Sequence, residues 1–346
     1  MPAQNSALPL ASICIPNFNM ARYLPDAIES ALAQDYGNIE IVIQENRSSD
    51  TSLEVIRRYA ARQGRIRVFE NERHVSMSAN WNRCVRHARG DYFVLLSADD
   101  LLERSFVSAC VAVLEKHRKA HCCCSERVDI DDSGAIVQRH QYYEDSAIIP
   151  GLAELKIELM ANFATPSQTF VRRSAWNDVE GYDERFDWAN DIHLRLKLLL
   201  LGDAAYLSDP LCRYRIQADM SAGRMVATKL GIMEIHRVRM DILDRLPPPA
   251  AALRGTLPAI LRNNAQICLV HAAAALRGKH AQLAREYGHL ALAFDLTVAD
   301  TPAYRDLQSW LDGAPMPPLA DKLTLPSPFE LPEGAMRLSP PLREVA

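Results

Sequence analysis

Length, composition and charge limit the classes of protein to which this chain can belong. Its 346 residues are 48% hydrophobic and 24% charged, which is ordinary for a globular protein and excludes a collagen, a coiled coil or a disordered tail. The chain is long enough for two domains and for a core without disulfide or metal staples. Its 39 basic and 43 acidic side chains give a net charge of −4, whereas a dedicated nucleic-acid binder usually shows a basic face. We therefore expect no nucleic acid among its partners.

The N-terminus and the cysteines predict a cytoplasmic protein. Residues 1–9 lack the basic and apolar regions of a signal peptide, and we expect them to form a flexible N-terminus. No apolar run approaches the roughly 18 residues that a membrane-spanning helix needs. The consecutive cysteines Cys122, Cys123 and Cys124 cannot readily pair with one another, and they predict a buried strand in a reducing compartment.

Short apolar runs alternate with amphipathic stretches over the first hundred residues. The runs are β-branched or aromatic and predict strands at residues 10–15, 39–43, 66–69 and 92–96. The stretches between them repeat apolar residues every three or four positions and predict helices at residues 21–34, 51–63 and 79–88. This alternation predicts an α/β fold, with a Rossmann-like, mostly parallel sheet and flanking helices.

The pattern loosens after residue 100 and changes again after residue 222. Helices are predicted at residues 106–117, 151–163 and 192–201. Extended segments are predicted at residues 121–130, 168–172 and 204–216, the last of them broken at Asp209-Pro210. Ala/Leu/Arg-rich periodicity predicts further helices at residues 230–246, 250–277 and 281–294. We predict four parts, which are a flexible N-terminus at 1–9, an α/β domain at 10–222, an all-helical appendage at 223–314 and a proline-rich tail at 315–346.

Polar segments follow three of the predicted strands. They are Pro16-Asn-Phe-Asn19, Glu45-Asn-Arg-Ser-Ser-Asp50 and Ser97-Ala-Asp-Asp100. Because open α/β sheets bind ligands outside the carboxyl ends of their strands, these segments are expected to converge on one rim. The sequence contains neither the glycine-rich dinucleotide fingerprint nor a P-loop, so it supports neither of those modes of phosphate binding.

Further motifs accompany these strand ends in a fixed order. They are Ile39-Glu-Ile-Val-Ile43, Asn80-Trp-Asn82, Ala88-Arg-Gly-Asp-Tyr92, Gly181-Tyr-Asp-Glu184 and Asn190-Asp-Ile-His193. As a set, across about residues 10–222, they resemble a family 2 glycosyltransferase of GT-A fold. The resemblance implies an inverting, metal-dependent transfer of a hexosyl-type sugar from a nucleotide-diphospho-sugar, with a UDP-sugar as the expected donor. The implied acceptor is a hydroxyl of a glycan, a lipid-linked saccharide or a protein.

The same resemblance implies which residues bind the donor. The nucleotide-sugar-binding residues are expected to be Pro16, Phe18, Asn19, Glu45, Asn82, Asp99 and Arg215. An aromatic such as Phe18 stacks on a base, although a core position beside the strand explains it equally well. A carboxylate such as Glu45 accepts from a base N–H or a ribose hydroxyl, and Glu45 stands where an aspartate is more usual.

Asp99 and Asp100 match the metal-binding motif of the family. The resemblance therefore implies a divalent metal cofactor, Mn²⁺ or Mg²⁺, which binds oxygen ligands and phosphate oxygens together. Ser97 occupies the first acidic position of the motif, and Gln217 stands where many relatives carry a histidine. The alternative explanation is that the aspartate pair caps a helix beginning at Leu101.

Asp191 matches the proposed general base of the family. It would take the acceptor proton as the acceptor oxygen attacks the anomeric carbon, giving inversion by direct displacement. An aspartate in the first turn of a helix is also favoured by the helix dipole, and both explanations can hold together. Its usual acidic neighbour is Asn190 here. Asn190 and Trp188 are expected on the acceptor side, where Trp188 is equally explained as a loop tryptophan covering the core.

Departures from the family pattern at Glu45, Ser97, Asn190 and Gln217 motivate a second hypothesis. It is a non-catalytic or weakly active GT-A module that binds nucleotide-sugar and recruits partners through the helical appendage. A nucleotidyltransferase is less well supported, because its phosphate loop would be glycine-rich and basic.

The helical appendage carries scattered basic residues with two possible roles. They form either a solvated surface or a peripheral contact with anionic lipid at the inner face of the membrane. These residues are Arg237, Arg239, Arg245, Arg254, Arg262, Arg277, Lys279 and Arg285.

Overall fold

The chain divides into two units in a computed structural model, which describes residues 8–161, 165–217, 228–316 and 329–338. The first unit comprises Met1–Leu155, Phe163–Ala218 and Pro328–Ala346, and the second comprises Lys156–Asn162 and Asp219–Ser327. The domain boundary predicted at residue 222 lies outside the described residues.

The first half of the larger unit alternates strand and helix, as its apolar periodicity predicts. Its strands are β1 (Ala11–Asn17), β2 (Ile39–Glu45), β3 (Ile66–Glu70) and β4 (Tyr92–Leu95). Its helices are α1 (Leu24–Leu32), α2 (Ser52–Ala60) and α3 (Met77–His87). Strand β1 pairs in parallel with β2 and β4, and β2 pairs in parallel with β3. Every residue of β1 and β2 is buried, as expected for a parallel sheet covered by helices on both faces.

The second half of this unit adds strands of both directions. Its strands are β5 (Leu101–Leu102), β6 (Ala120–Ile130), β7 (Ile136–Arg139), β8 (Ala147–Ile149), β9 (Thr169–Arg172) and β10 (Asp203–Arg215). Its helices are α4 (Phe106–Lys116), α5 (Gly151–Glu158), α6 (Arg173–Asp178) and α7 (Asn190–Leu201). With β11 (Met336–Arg337), the described strands form one sheet of eleven.

The order of the strands brings the polar segments to one edge of the sheet. Its main path runs β11-β8-β10-β6-β9-β4-β1-β2-β3, with β5 paired to β10 and β7 to β6. Strand β9 is antiparallel to both of its neighbours, β4 and β6, and β6 is parallel to β10. The mixed α/β architecture with a mostly parallel centre is the predicted fold class.

Two segments differ from the sequence-based expectation. The break predicted at Asp209-Pro210 is absorbed within β10, because the pairing of β10 with β6 shifts register between Leu207 and Cys212. Residues 336–337 of the proline-rich tail form β11, which pairs antiparallel with β8. Each difference depends on a pairing partner distant in sequence, so local patterns do not reveal it.

The buried cysteine strand is confirmed. Cys122, Cys123 and Cys124 lie in β6 and are buried, and all eight cysteines of the chain are free thiols. Cys123 packs in the main hydrophobic core together with Phe170 of β9 and Phe106 of α4. Buried cysteine acts here as a small apolar side chain.

The smaller unit is helical, as predicted. Its helices are α8 (Leu230–Asp244), α9 (Leu257–Arg277), α10 (Ala281–Phe294) and α11 (Pro302–Leu311). Small side chains such as Ala272 and Ala284 pack around the buried ring of Tyr287. Arg239 is only 3% exposed and donates to Asn264 Oδ1, so it does not belong to the basic surface expected for the appendage. No helix in the described part of the chain is both long and apolar enough to cross a membrane.

Candidate functional site

The ends of β1 and β2 are joined by side-chain hydrogen bonds. Asn17 Nδ2 donates to Glu45 Oε2 at 2.6 Å and to Ser48 Oγ at 3.1 Å. Glu45 Oε1 accepts from the backbone N–H of Ser48 at 2.5 Å. Glu45 is buried, and its longer side chain folds back onto the loop that follows β2. Pro16 is buried within β1 and lies behind this rim.

Asn19 holds the turn after β1 in place. Its φ of 55° is left-handed, a conformation that asparagine tolerates better than most residues. Its Oδ1 accepts from the backbone N–H of Ser49 at 2.7 Å, and its own N–H donates to Ser48 Oγ at 2.9 Å. The turn after β1 and the loop after β2 therefore form one preorganised wall.

An exposed aromatic pair stands beside this wall. Phe18 is 42% exposed, so it is not the core aromatic that the sequence also allowed. Its ring centroid lies 4.4 Å from that of His74, whose Nδ1 is 3.1 Å from the carbonyl oxygen of Asn46. Sequence reasoning missed His74, since nothing in its local pattern distinguishes it from any loop histidine.

Asp99 and Asp100 share the rim after β4 but differ in exposure. Asp100 is 1% exposed, and its two carboxylate oxygens accept from the backbone N–H of Arg215 at 2.9 Å and from Ser167 Oγ at 2.6 Å. Burial, reinforced by the charge of Asp99, raises the pKa of Asp100 to about 8. The alternative role in helix capping is wrong, because Leu101–Leu102 form β5 and α4 begins only at Phe106.

Asp99 is the more accessible carboxylate of the pair. Its Oδ2 accepts from Gln217 Nε2 at 2.5 Å, and its backbone carbonyl accepts from Arg215 Nε at 2.9 Å. Burial also raises its pKa. Since both oxygens of Asp100 are already bonded within the protein, Asp99 is the better placed of the two to meet a cation or a phosphate.

Arg215 is a buried cation that supports the rim. Besides Asp99, its guanidinium donates to the carbonyl oxygen of Asp131 at 2.8 Å and lies 4.7 Å from the centre of the Tyr23 ring. Its side chain also comes within 3.6 Å of Asp26. These contacts hold the loops around Asp99 together and leave Arg215 little freedom to act as a mobile phosphate clamp.

Asp191 lies in the first turn of α7 and lines a cleft. The walls of this cleft include Thr165, Thr169, Tyr182 and Arg195. Asp191 Oδ1 accepts from the backbone N–H of Ile192 at 2.7 Å. Burial raises the pKa of Asp191 to about 6. Asp191 therefore combines a helix-terminal position with a half-buried carboxylate that lines the cleft.

The two residues expected on the acceptor side differ in how far they are buried. Trp188 is half-buried in the loop before α7, whereas Asn190 is fully buried and donates to Ser78 Oγ at 2.7 Å. Asn82 is also buried and bonds both the N–H and the carbonyl of Tyr182. Asn82 and Asn190 thus join α3 to the loop before α7, and these contacts favour a structural role for both side chains.

The fold is that of the GT-A glycosyltransferases. S. aureus TarS 1-349, solved in complex with UDP-GlcNAc, matches over 88% of this chain and 92% of its own, with a TM-score of 0.64 and 16% identity. The mannosyltransferase PcManGT from Pyrobaculum calidifontis, solved with GDP-Man and Mn²⁺, matches over 89% of this chain and 86% of its own, with a TM-score of 0.54 and 18% identity. At such low identities the likeness establishes the fold.

The chain belongs to glycosyltransferase family 2. The family model described as "Glycosyl transferase family 2" matches residues 12–179. EpsE of Bacillus subtilis (strain 168), provisionally named a glycosyltransferase, is 26% identical over 264 residues, which are 74% of this chain and 92% of that protein. The chain is accordingly a glycosyltransferase, and these relatives do not favour the alternative of a non-catalytic module.

Proposed function

We propose that this glycosyltransferase moves a sugar from a nucleotide-diphospho-sugar to an acceptor hydroxyl with inversion. The supporting observation is that one short turn contributes to both sides of the site. Thr165 and Pro166 line the cleft that contains Asp191, and the next residue, Ser167, donates from its Oγ to Asp100 Oδ2 at 2.6 Å.

Asp191 is the proposed base. The acceptor oxygen attacks the anomeric carbon while the bond from that carbon to the diphosphate oxygen breaks. The acceptor proton passes to the oxygen of Asp191 that Ile192 does not hold. Because its pKa is about 6, Asp191 is ionised at neutral pH and is a stronger base than an ordinary aspartate. A single displacement from the side opposite the leaving group inverts the anomeric carbon.

The rate of transfer should follow the ionisation of Asp191. Its raised pKa means that the carboxylate is lost below about pH 6. We expect kcat/KM to fall about tenfold per pH unit below that midpoint and to be level above it, because kcat/KM reports the free enzyme. The profile is measured with a saturating second substrate between roughly pH 3.5 and pH 8, so that a midpoint near 6 and one near 4 both lie inside the range. A midpoint at the ordinary aspartate value near 4 would contradict the assignment.

A UDP-sugar is the proposed donor. The nucleoside would lie between the wall formed by Asn19 and Glu45 and the exposed ring of Phe18, with His74 beside it. TarS was solved with UDP-GlcNAc, which supports uridine, while PcManGT was solved with GDP-Man. Titration with UDP and with GDP therefore determines which nucleobase the site binds.

Removal of the Phe18 ring should weaken nucleotide binding. Stacking of a base on an aromatic side chain contributes about 1–3 kcal/mol, so we expect Phe18→Ala to raise the Kd for UDP by about tenfold. The change is measured by isothermal titration calorimetry. Leu296→Ala is the control, since Leu296 is an exposed apolar residue of the other unit and should leave the Kd unchanged. An unaltered Kd in Phe18→Ala would remove Phe18 from the donor site.

Mn²⁺ or Mg²⁺ is the proposed cofactor, with Asp99 as a ligand. Among the residues that the structure describes, no three His, Cys, Asp or Glu side chains cluster as a metal site. Such a sparse donor set still suits these ions, which are often bound by one or two carboxylates together with substrate phosphates. Gln217 lies against Asp99 and can present its amide oxygen after rotation. When bound, the ion would neutralise charge on the leaving diphosphate.

A glycan, a lipid-linked saccharide or a protein is the proposed acceptor. Trp188, half-buried three residues before Asp191, is the side chain that we propose for stacking on an acceptor sugar. A panel of UDP-, GDP-, CDP- and dTDP-sugars with Mn²⁺ or Mg²⁺ tests the proposal by thermal shift and by release of the nucleoside diphosphate. We expect one donor class to stabilise the chain in the presence of metal and to be turned over. Absence of binding and turnover across the panel would contradict the proposed function.

A further inference from the structure

The loop that leads to Asp191 is fastened to α3 by buried side chains. Asn82 donates to the carbonyl oxygen of Tyr182 at 2.8 Å and accepts from the N–H of Tyr182 at 3.0 Å. One helical turn earlier on the same face, Ser78 Oγ donates to the carbonyl oxygen of Phe186 at 2.6 Å. Tyr182 and Phe186 of the loop are therefore both tied to one face of α3.

The hydrogen bond between Ser78 and Asn190 has a defined direction. A serine hydroxyl carries one hydrogen, and Ser78 gives it to Phe186, so Ser78 Oγ accepts from Asn190 Nδ2 at 2.7 Å. Ser78 and Asn190 are both 0% exposed. Asn190 Oδ1 is buried and has no partner among the described residues. The bond to Ser78 is thus the polar attachment of the Asn190 side chain.

This attachment lies at the first residue of α7. The N-cap residue of α7, Ala189, has no side chain that could cap the helix. Asn190 is the first residue of α7, and Asp191 follows it directly. Because the carboxylate of Asp191 is bonded to the backbone N–H of Ile192, its orientation follows that of the first helical turn.

We propose that Ser78 and Asn190 are positioning residues, which hold the first turn of α7 so that Asp191 faces the acceptor. The inference rests on the proposed function, in which Asp191 is the base. It explains why a buried serine on α3 contacts a loop more than a hundred residues away in sequence. It also gives the buried side chain of Asn190 a role that needs an amide donor.

The test compares two serine-to-alanine variants of the same helix end. Ser78→Ala removes the attachment, while Ser76→Ala removes the exposed N-cap that accepts from Ala79 N–H and makes none of the loop contacts described above. Hydrogen–deuterium exchange of residues 182–191 should rise in Ser78→Ala and stay at the wild-type level in Ser76→Ala. The kcat of Ser78→Ala should fall by about tenfold or more, as small misplacements of a catalytic group do, with KM for the donor unchanged.

Asn190→Ala removes the same bond by changing its other partner, and it replaces Ser78→Ala in the test if Ser78→Ala does not fold. It should lower kcat as well, and the double variant should be no worse than Ser78→Ala, because Ser78→Ala already removes the bond to Asn190 together with the bond to Phe186. Unchanged exchange in residues 182–191, or additive losses of kcat, would overturn the proposal. Absence of turnover in the wild-type chain would instead contradict the proposed function, and the exchange data would still show whether Ser78 holds the loop.

Discussion

Asp191→Asn is expected to lower the rate of sugar transfer by about 10²–10⁴-fold, the usual contribution of a positioned general base. Asparagine keeps the size of the side chain and its hydrogen bond to the backbone of Ile192, but it cannot take up a proton. The nucleotide would bind at the opposite side of the rim, so UDP affinity should not change. Single-turnover kinetics and calorimetric titration of UDP measure the two effects separately.

Asp183→Asn is the matched control. Asp183 lies on the same loop, and its bonds to the Arg185 side chain hold its pKa below the ordinary value. A carboxylate held in this way is a poor base, so transfer by Asp183→Asn should stay close to the wild-type rate. Retained transfer in Asp191→Asn, or an equal loss in both variants, would remove Asp191 from the proposed role.

Asp99→Asn is expected to abolish the metal-dependent tightening of UDP binding. In the wild-type chain, Mn²⁺ should lower the Kd for UDP, because the ion would join the carboxylate of Asp99 to the phosphate oxygens. The amide of asparagine carries no charge and is a weaker ligand. The Kd for UDP is measured with Mn²⁺ and with a chelator, and the ratio of the two values should approach one in the variant.

Asp131→Asn controls for the loss of a carboxylate near the rim. Asp131 Oδ1 accepts from the N–H groups of Ser133 and Ala135 in a surface turn, and its side chain makes no contact with Asp99. Its ratio of Kd values should equal that of the wild-type chain. A ratio in Asp99→Asn that also matches the wild type would contradict the role of Asp99 in metal binding.

The apolar periodicity of the sequence predicts the strands and helices that carry the site, because each of them is recognised from residues that are adjacent in sequence. Strands β1 and β2 are mostly apolar, and α3 repeats apolar residues at helical spacing. The rule that ligands lie at strand ends then brought Phe18, Glu45 and Asp99 to one rim. The break predicted at Asp209-Pro210 is instead a shift of register within one strand, β10, and this continuity escaped prediction because it depends on pairing with β6.

The hydrogen bonds that hold the site were not predictable in the same way. Ser78 reaches Asn190 across 112 positions, and Ser167 reaches Asp100 across 67. Such pairs produce no periodic pattern in the sequence, and serine is common in helices and loops. The predictions about Asn82 and Arg215 were made from a family pattern. The structure shows both side chains engaged with backbone groups, which a pattern of residue types cannot reveal.

The stereochemistry of slow donor hydrolysis tests the central claim most directly and needs no knowledge of the acceptor. Water takes the place of the acceptor hydroxyl when the enzyme is incubated with an α-linked donor such as UDP-GlcNAc and Mn²⁺. Proton NMR then identifies the anomer released before it equilibrates. An inverting transferase that uses Asp191 as its base should release the β-anomer first, and Asp191→Asn should release none. Initial release of the α-anomer, or equal hydrolysis by Asp191→Asn, would contradict this account.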